Sequence, residues 1–325
     1  MKNQNHSSNL PASDLLIAVA SSSFSKSAFL RKKLEEVFSN IIFNERGHPL
    51  PDVELAEFLK NADAAIVGID PITDQVLSRT PQLKIISKYG VGLDNIDLPS
   101  LKRRNIALGW TGGVNRRSVS ELTLCFMLGL CRNVFGTGYK LKQGQWEKEG
   151  GQQLSEKTIG IIGCGHIGSD LIQLLAPFKC NLLVNDIIDK SEFCRAHNAE
   201  QTSLENLIVE SDLISLHVPL TSRTIKMADK NFLNRMKSTA YLINTSRGDV
   251  VGQDALKKSL LQGDIAGAAL DVFMEEPPTD EEFLSSPNLM VTPHIGGNAR
   301  ESVEAMGRAA IQHLVSFFRN LQARD

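Results

Sequence analysis

Cysteine is scarce in this chain: five in 325 residues (Cys125, Cys131, Cys164, Cys180 and Cys194), an odd number without paired spacing. That pattern excludes a dense disulfide framework and a zinc cluster, so no metal is expected, and the thiols read as reduced, as in a cytosol. Bulky polar aromatics are few as well, with two Trp and three Tyr. No apolar run approaches the roughly 20 residues of a membrane-spanning helix. The first one, Leu15 to Ala20, covers six residues after a polar start from Met1 to Ser13, too short for the core of an export signal, so a cytoplasmic protein is expected. Nor is there an excess of charge of one sign, since 35 basic residues face 37 acidic ones. Without a net positive field, neither nucleic acid nor an acidic membrane is an expected partner. Repeats with a period of roughly 20 to 50 residues and low-complexity tracts are also missing.

What is present is ordinary globular material, 42% hydrophobic and 22% charged, in a chain too long for one hydrophobic core. Two domains with a cleft follow. From Leu15 short apolar runs alternate with amphipathic stretches (LLIAVA, SAFLRKKLEEVF, IIF, VELAEFLKN, AAIVG, LKIISKYG), the rhythm of a parallel α/β sheet. A long helical pattern runs from Ser118 to about Lys142, with Ser118 and Glu121 spaced as a capping box. Six further strand candidates follow: 158–162, 181–185, 213–217, 240–244, 266–270 and 289–292. Six suits a dinucleotide-binding fold wound 3-2-1-4-5-6. The final amphipathic stretch, 301–321, could return to the first lobe and make that domain discontinuous.

Between strand 158–162 and a helical stretch lies G-C-G-H-I-G, with Gly163, Gly165 and Gly168. Glycines at this spacing allow a tight turn, a close approach of backbone to a pyrophosphate, and close packing of helix on strand. Asp186 ends the next apolar run, 18 residues after Gly168, where a carboxylate would accept hydrogen bonds from ribose hydroxyls and repel a 2'-phosphate. Ile187 and Ile188 follow it, with only Lys190 nearby. NAD is therefore expected over NADP.

In the 3-2-1-4-5-6 order, strands 240–244, 266–270 and 289–292 would be the fourth, fifth and sixth, side by side. Each is followed by a chemically useful residue: Arg247, Glu276 and His294. Ligands of open α/β sheets sit beyond the carboxyl ends of the strands, which would bring the three together. A guanidinium binds a carboxylate and a carbonyl, an imidazole exchanges a proton near neutrality, and a carboxylate orients and charge-stabilises that imidazole. Taken one at a time, each also has a plain reading as a surface ion pair, a solvated loop acid or a strand-end histidine.

The segments GVGLDNIDL (90–98), SVSELTL (118–124), GIIGCGHIG (160–168), HVPLT (217–221), INTSRGDVV (243–251), ALDVFMEEP (269–277) and TPHIGG (292–297) resemble the D-isomer-specific 2-hydroxyacid dehydrogenase family, in particular its phosphoglycerate dehydrogenase branch. The likeness covers about residues 60–315 in the family's order. It implies two α/β domains, each a parallel-sheet Rossmann or flavodoxin-like fold, with the active site in the interdomain cleft. Residues 1–114 and 298–325 would form the substrate-binding domain and 115–297 the NAD-binding one. It further implies hydride transfer between C2 of a 2-hydroxy acid and NAD, with Arg247 holding substrate, His294 as acid/base and Glu276 as its partner. His166 and Ile167 would lie at the pyrophosphate, His217, Val218, Thr245, Gly296 and Gly297 along the cofactor, and Asp271 near the nicotinamide amide. Gly90, Val91 and Gly92 would offer backbone amides to the substrate carboxylate. The long helix would serve as the arm of a homodimer.

The substrate is read less directly. Lys88 matches a position where the phosphoglycerate branch often has arginine, and Arg116 and Arg117 could also serve a phosphate. Gly68 stands where that branch often has another arginine. The expectation is 3-phosphoglycerate, with glyoxylate or hydroxypyruvate as the alternative. With 31 residues after His294, the serine-binding regulatory domain of some relatives is not expected. A rival reading is a non-catalytic NAD-sensing scaffold, like the C-terminal binding protein corepressors that share this fold.

Overall fold

The computed structural model describes residues 15–323; the polar start, Met1 to Ser13, lies outside them. The chain divides into two compact units, Met1–Asn115 with Arg300–Asp325, and Arg116–Ala299.

In the first unit five short strands, β1 (Leu16–Val19), β2 (Asn40–Phe43), β3 (Ala64–Val67), β4 (Ile85–Lys88) and β5 (Ala107–Gly109), pair in parallel in the order β2-β1-β3-β4-β5. This is the flavodoxin-like winding. Successive strand residues face opposite sides, and here both sides are buried. Ile17, Val19, Ile66 and Ile85 join one core; Ala18, Ala65, Val67 and Ile86 join the other. That double burial is why the strands read as continuous apolar runs. The helix Arg300–Gln322 covers the first of these faces with Met306, Ala310, Leu314 and Phe318, spaced four apart along one stripe. Burial of one such large side chain stabilises by about 1.5–3 kcal/mol.

The second unit contains β6 (Thr158–Ile162), β7 (Asn181–Asn185), β8 (Ala199–Gln201), β9 (Leu213–Leu216), β10 (Tyr241–Asn244), β11 (Gly267–Leu270) and β12 (Leu289–Val291), all parallel, in the order β12-β11-β10-β9-β6-β7-β8. The sheet therefore has seven strands, not six. The three-residue β8 takes the third place at the edge, and β9, the candidate 213–217, is fourth and lies beside β6. Strands β10, β11 and β12 are fifth, sixth and seventh, and remain adjacent.

The long helical pattern after Ser118 is two helices, Arg116–Cys131 and Val134–Lys142, bent by 68°. Asn133 between them adopts a left-handed backbone at φ 50°, which ends the first helix. Ser118 does not cap that helix, which begins two residues earlier. Its hydroxyl donates to the Gly296 carbonyl and accepts from Ala299 N–H, 3.2 Å away. The pattern of a capping box instead marks a tie between this helix and the loop after β12.

Candidate active site

Parallel register places the strand tips level: Asn244 of β10 pairs with Leu270 of β11, and Leu270 with Val291 of β12. The residues just past these tips share one edge. Glu276 Oε2 meets His294 Nδ1 at 2.7 Å. Its other oxygen, Oε1, accepts from Phe273 N–H at 3.0 Å, which fixes the carboxylate plane. The histidine's Nε2 has no hydrogen-bond partner among the described residues and is the ring atom left for chemistry.

Electrostatics agree with this geometry. Burial alone would raise the Glu276 pKa, but the bonds from His294 and Phe273 and the charges of His294 and Arg247 hold it below the ordinary carboxylate range. The Glu276 bond raises the His294 pKa, against an opposing pull from burial, and the Glu276 and Asp271 charges add to the rise. Arg247 acts on both, lowering each pKa. The guanidinium, carboxylate and imidazole are thus close enough to sense one another's charge.

Two buried polar residues hold this constellation, and neither role has a signature in the sequence. Asn244 Oδ1 accepts from Ser246 N–H at 3.0 Å and Ser246 Oγ at 2.7 Å, while Asn244 Nδ2 donates to the Arg247 carbonyl at 2.8 Å. An Asx-type turn of this kind sets where Arg247 leaves the sheet. Asp271, 1% exposed, accepts from Thr292 Oγ1 at 2.6 Å, Ile295 N–H at 2.7 Å and Gly296 N–H at 2.7 Å. These donors flank His294, whose backbone stands at φ 53°, a left-handed conformation that is unfavourable by about 1–2 kcal/mol for a residue with a side chain. Asp271 thus holds the loop that carries His294.

The glycine-rich turn fits a dinucleotide. At Gly163 (φ 93°) an added Cβ would lie 2.6 Å from the His217 carbonyl oxygen, and at Gly168 it would lie 2.1 Å from the Gly163 oxygen. Neither position admits a side chain. At Gly165, by contrast, an added Cβ would meet nothing within 4 Å, and this residue opens the helix His166–Leu175 without any side-chain cap. Open space before uncapped N–H groups is a place for a pyrophosphate. His166 is exposed there, and Ile167 half-buried. Asp186 Oδ2 accepts from Cys164 N–H at 2.7 Å and its Oδ1 from Ile188 N–H at 2.9 Å. It clamps the glycine-rich turn, and each oxygen keeps a lone pair.

His217 adds an orphaned group. Its Nε2 meets Ser215 Oγ at 2.9 Å, but the buried Nδ1 has no partner. Burial depresses the ring to a pKa of about 4, so it is neutral and able to hydrogen-bond a ligand without charge. Val218 lies against Gly163. Thr245 is buried and its hydroxyl faces Thr123, 3.0 Å away; Thr123 spends its own proton on Val119, so Thr245 donates inward. Gly296 is held between Asp271 and Ser118, with Gly297 next to it.

Lys88, read as a phosphate ligand, is 5% exposed. Its ammonium bonds the Gly68 carbonyl and Asn95 Oδ1, so it braces the loop 89–95. Arg117 pairs with the buried Asp170 at 3.0 Å, with Arg116 3.9 Å from the same oxygen. Each of these three cations has a carbonyl or carboxylate partner.

Residues 124–296 match the family model described as the NAD binding domain of D-isomer specific 2-hydroxyacid dehydrogenases. Glyoxylate reductase of Korarchaeum cryptofilum is 35% identical over 295 residues, spanning 88% of this chain and 89% of that protein. The chain belongs to the D-isomer specific 2-hydroxyacid dehydrogenase family.

Hydroxypyruvate reductase of Thermotoga maritima is 34% identical over 274 residues, 82% of this chain and 88% of its own. Among solved structures, D-lactate dehydrogenase of Aquifex aeolicus, complexed with NAD and lactic acid, superposes with a TM-score of 0.82 at 27% identity over 94% of this chain and 96% of that one. As a 2-hydroxyacid dehydrogenase the chain is an NAD-dependent oxidoreductase acting on a CH–OH group. NAD supplies or accepts the hydride when bound; everything else must come from side chains and backbone.

Proposed function

We propose that this dehydrogenase reduces small unphosphorylated 2-keto acids, of the size of glyoxylate and hydroxypyruvate, with NADH. The bond between Glu276 and His294, 2.7 Å long and beside Arg247 at adjacent strand tips, carries the reading. His294 Nε2 donates a proton to the keto oxygen in reduction and takes it back in oxidation. Glu276 keeps the proton-bearing tautomer in place and stabilises the imidazolium, and Arg247 binds the carboxylate and polarises the carbonyl. Backbone amides of Val91 and Gly92, on the loop that follows β4, are offered to a carboxylate.

The cations read from the sequence as phosphate ligands have other partners among the described residues, which favours an unphosphorylated substrate. Lys88 is spent on Gly68 and Asn95, and Gly68 itself brings no side chain. Arg116 and Arg117 answer to Asp170. The two relatives above are named for glyoxylate and hydroxypyruvate, which points the same way. A panel of glyoxylate, hydroxypyruvate, 3-phosphohydroxypyruvate and 2-ketoglutarate, assayed with NADH and NADPH at equal concentration, tests this. Glyoxylate or hydroxypyruvate with NADH should give the highest kcat/KM. A preference for 3-phosphohydroxypyruvate would overturn the substrate assignment, and a flat panel the reaction itself.

A homodimer fits the helix Val134–Lys142, which buries none of its residues and exposes Val134, Phe135, Tyr139 and Leu141 by more than half, with Trp146 beyond it. An apolar face of this kind on a soluble enzyme marks an association surface. Light scattering at micromolar concentration should give twice the chain mass; a monomer would refute it.

A further inference from the structure

We infer that Trp110 is a positioning residue that aims the Gly92 amide at the substrate carboxylate. The inference rests on the reading that the loop 90–92 binds that carboxylate.

Trp110 follows β5 and keeps 43% of its surface exposed, yet its indole Nε1–H donates to the Val91 carbonyl at 3.0 Å. The loop is held at both ends. Tyr89 N–H donates to the Val67 carbonyl at 2.8 Å, and Asn95, through Nδ2, donates to the carbonyls of Gly68 and Asp70. Between these anchors Gly90 turns at φ 125°, and Trp110 makes the one hydrogen bond to the peptide of Val91 and Gly92 among the described residues. Neither the Val91 nor the Gly92 N–H donates to any described residue, so both remain available to a ligand.

The direction of the Gly92 donor follows from covalent geometry. In a trans peptide the C=O of one residue and the N–H of the next point to opposite sides of the same plane, and the 91–92 peptide is trans, since among the described residues only Glu276–Pro277 is cis. Holding the Val91 oxygen on the indole therefore fixes the Gly92 N–H in the opposite direction. Without the indole, the peptide on either side of a glycine is free to rotate, and that freedom must be lost when substrate binds. Trp110 removes it beforehand.

The test compares Trp110→Phe, which keeps the ring and loses the donor, with Gly92→Pro, which removes the amide itself. For Trp110→Phe, KM for glyoxylate should rise roughly three- to tenfold, the worth of one neutral hydrogen bond. Its kcat and NADH affinity should hold within about twofold, since the remaining partners of the carboxylate are untouched. Because the chain has only two tryptophans, a Trp146→Phe chain reports on Trp110 alone. Oxalate added to its NAD-loaded form should shift the emission saturably, with a midpoint equal to its inhibition constant. An unmoved KM in Trp110→Phe, beside a large rise in Gly92→Pro, would overturn the role of Trp110 and leave the loop's role standing. Unmoved KM values in both would overturn the carboxylate reading as well. Loss of NADH binding in Trp110→Phe would mark a general disturbance and also overturn the inference.

Discussion

Replacing Asp271 with Asn changes one oxygen for an NH2 in a buried place where three donors converge. If the amide oxygen takes the Oδ1 position it still serves Thr292 and Ile295, but without charge, and the NH2 then faces Gly296 N–H. Flipping the amide is worse, because two donors would meet the NH2. A hydrogen bond to a charged group contributes about 1.5–3 kcal/mol, and an unsatisfied buried N–H costs about 1–3 kcal/mol. The substitution should therefore remove about 3 kcal/mol from a unit of about 180 residues, which corresponds to a Tm lower by roughly 6–12 °C. The bonds lost are those flanking His294, whose left-handed backbone then relaxes, so kcat for glyoxylate should fall at least about tenfold. Differential scanning calorimetry and steady-state NADH oxidation measure the two effects. A Tm within about 2 °C of the parent together with an unchanged kcat would show that Asp271 does not hold the catalytic loop.

Arg247→Lys keeps the charge but loses the planar fork, so kcat/KM for glyoxylate should drop roughly ten- to a hundredfold while NADH affinity stays the same; an unchanged kcat/KM would remove Arg247 from substrate binding. Asp186→Ser should weaken NADH binding without a matching gain for NADPH, because the Cys164 amide in the turn loses its acceptor; fluorescence titration with both cofactors decides this, and a full switch to NADPH would refute the clamp.

Strands that carry their own apolar pattern are readable end to end: 158–162 and 181–185 coincide with β6 and β7. The two that escape such reading, Ala107–Gly109 and Ala199–Gln201, are three residues long and lie at sheet edges. They are strands because β4 and β7 present unpaired backbone to them, a tertiary cause with no local signature. Without β8, each later strand of the second unit is counted one place too early. The bend after Cys131 hides in Asn133, one residue whose left-handed backbone nothing in an apolar period betrays. At the site, chemical side chains are visible because they follow strand tips, where parallel topology collects them. Their supports are not, because Asn244, Asp271, Asp186 and Trp110 act largely on backbone groups, and a bond to a carbonyl or amide places no demand on its partner's identity. Lys88 shows the converse: a lysine at a strand end reads as a ligand, and its burial puts the ammonium on the Gly68 carbonyl and Asn95 Oδ1.

His294 and Glu276 working as one acid–base couple is the central claim, and the pH dependence of glyoxylate reduction addresses it most directly. Reduction needs the protonated imidazole, so the rate is full below the His294 pKa and is lost as pH rises through it. With Glu276 in place that pKa is raised, so the falling limb should lie above the ordinary imidazole range. In Glu276→Gln the carboxylate charge that raises the pKa is gone while burial and Arg247 still lower it, so the limb should move to lower pH. Superimposable profiles for the two proteins, or a limb displaced to higher pH in Glu276→Gln, would contradict the coupling.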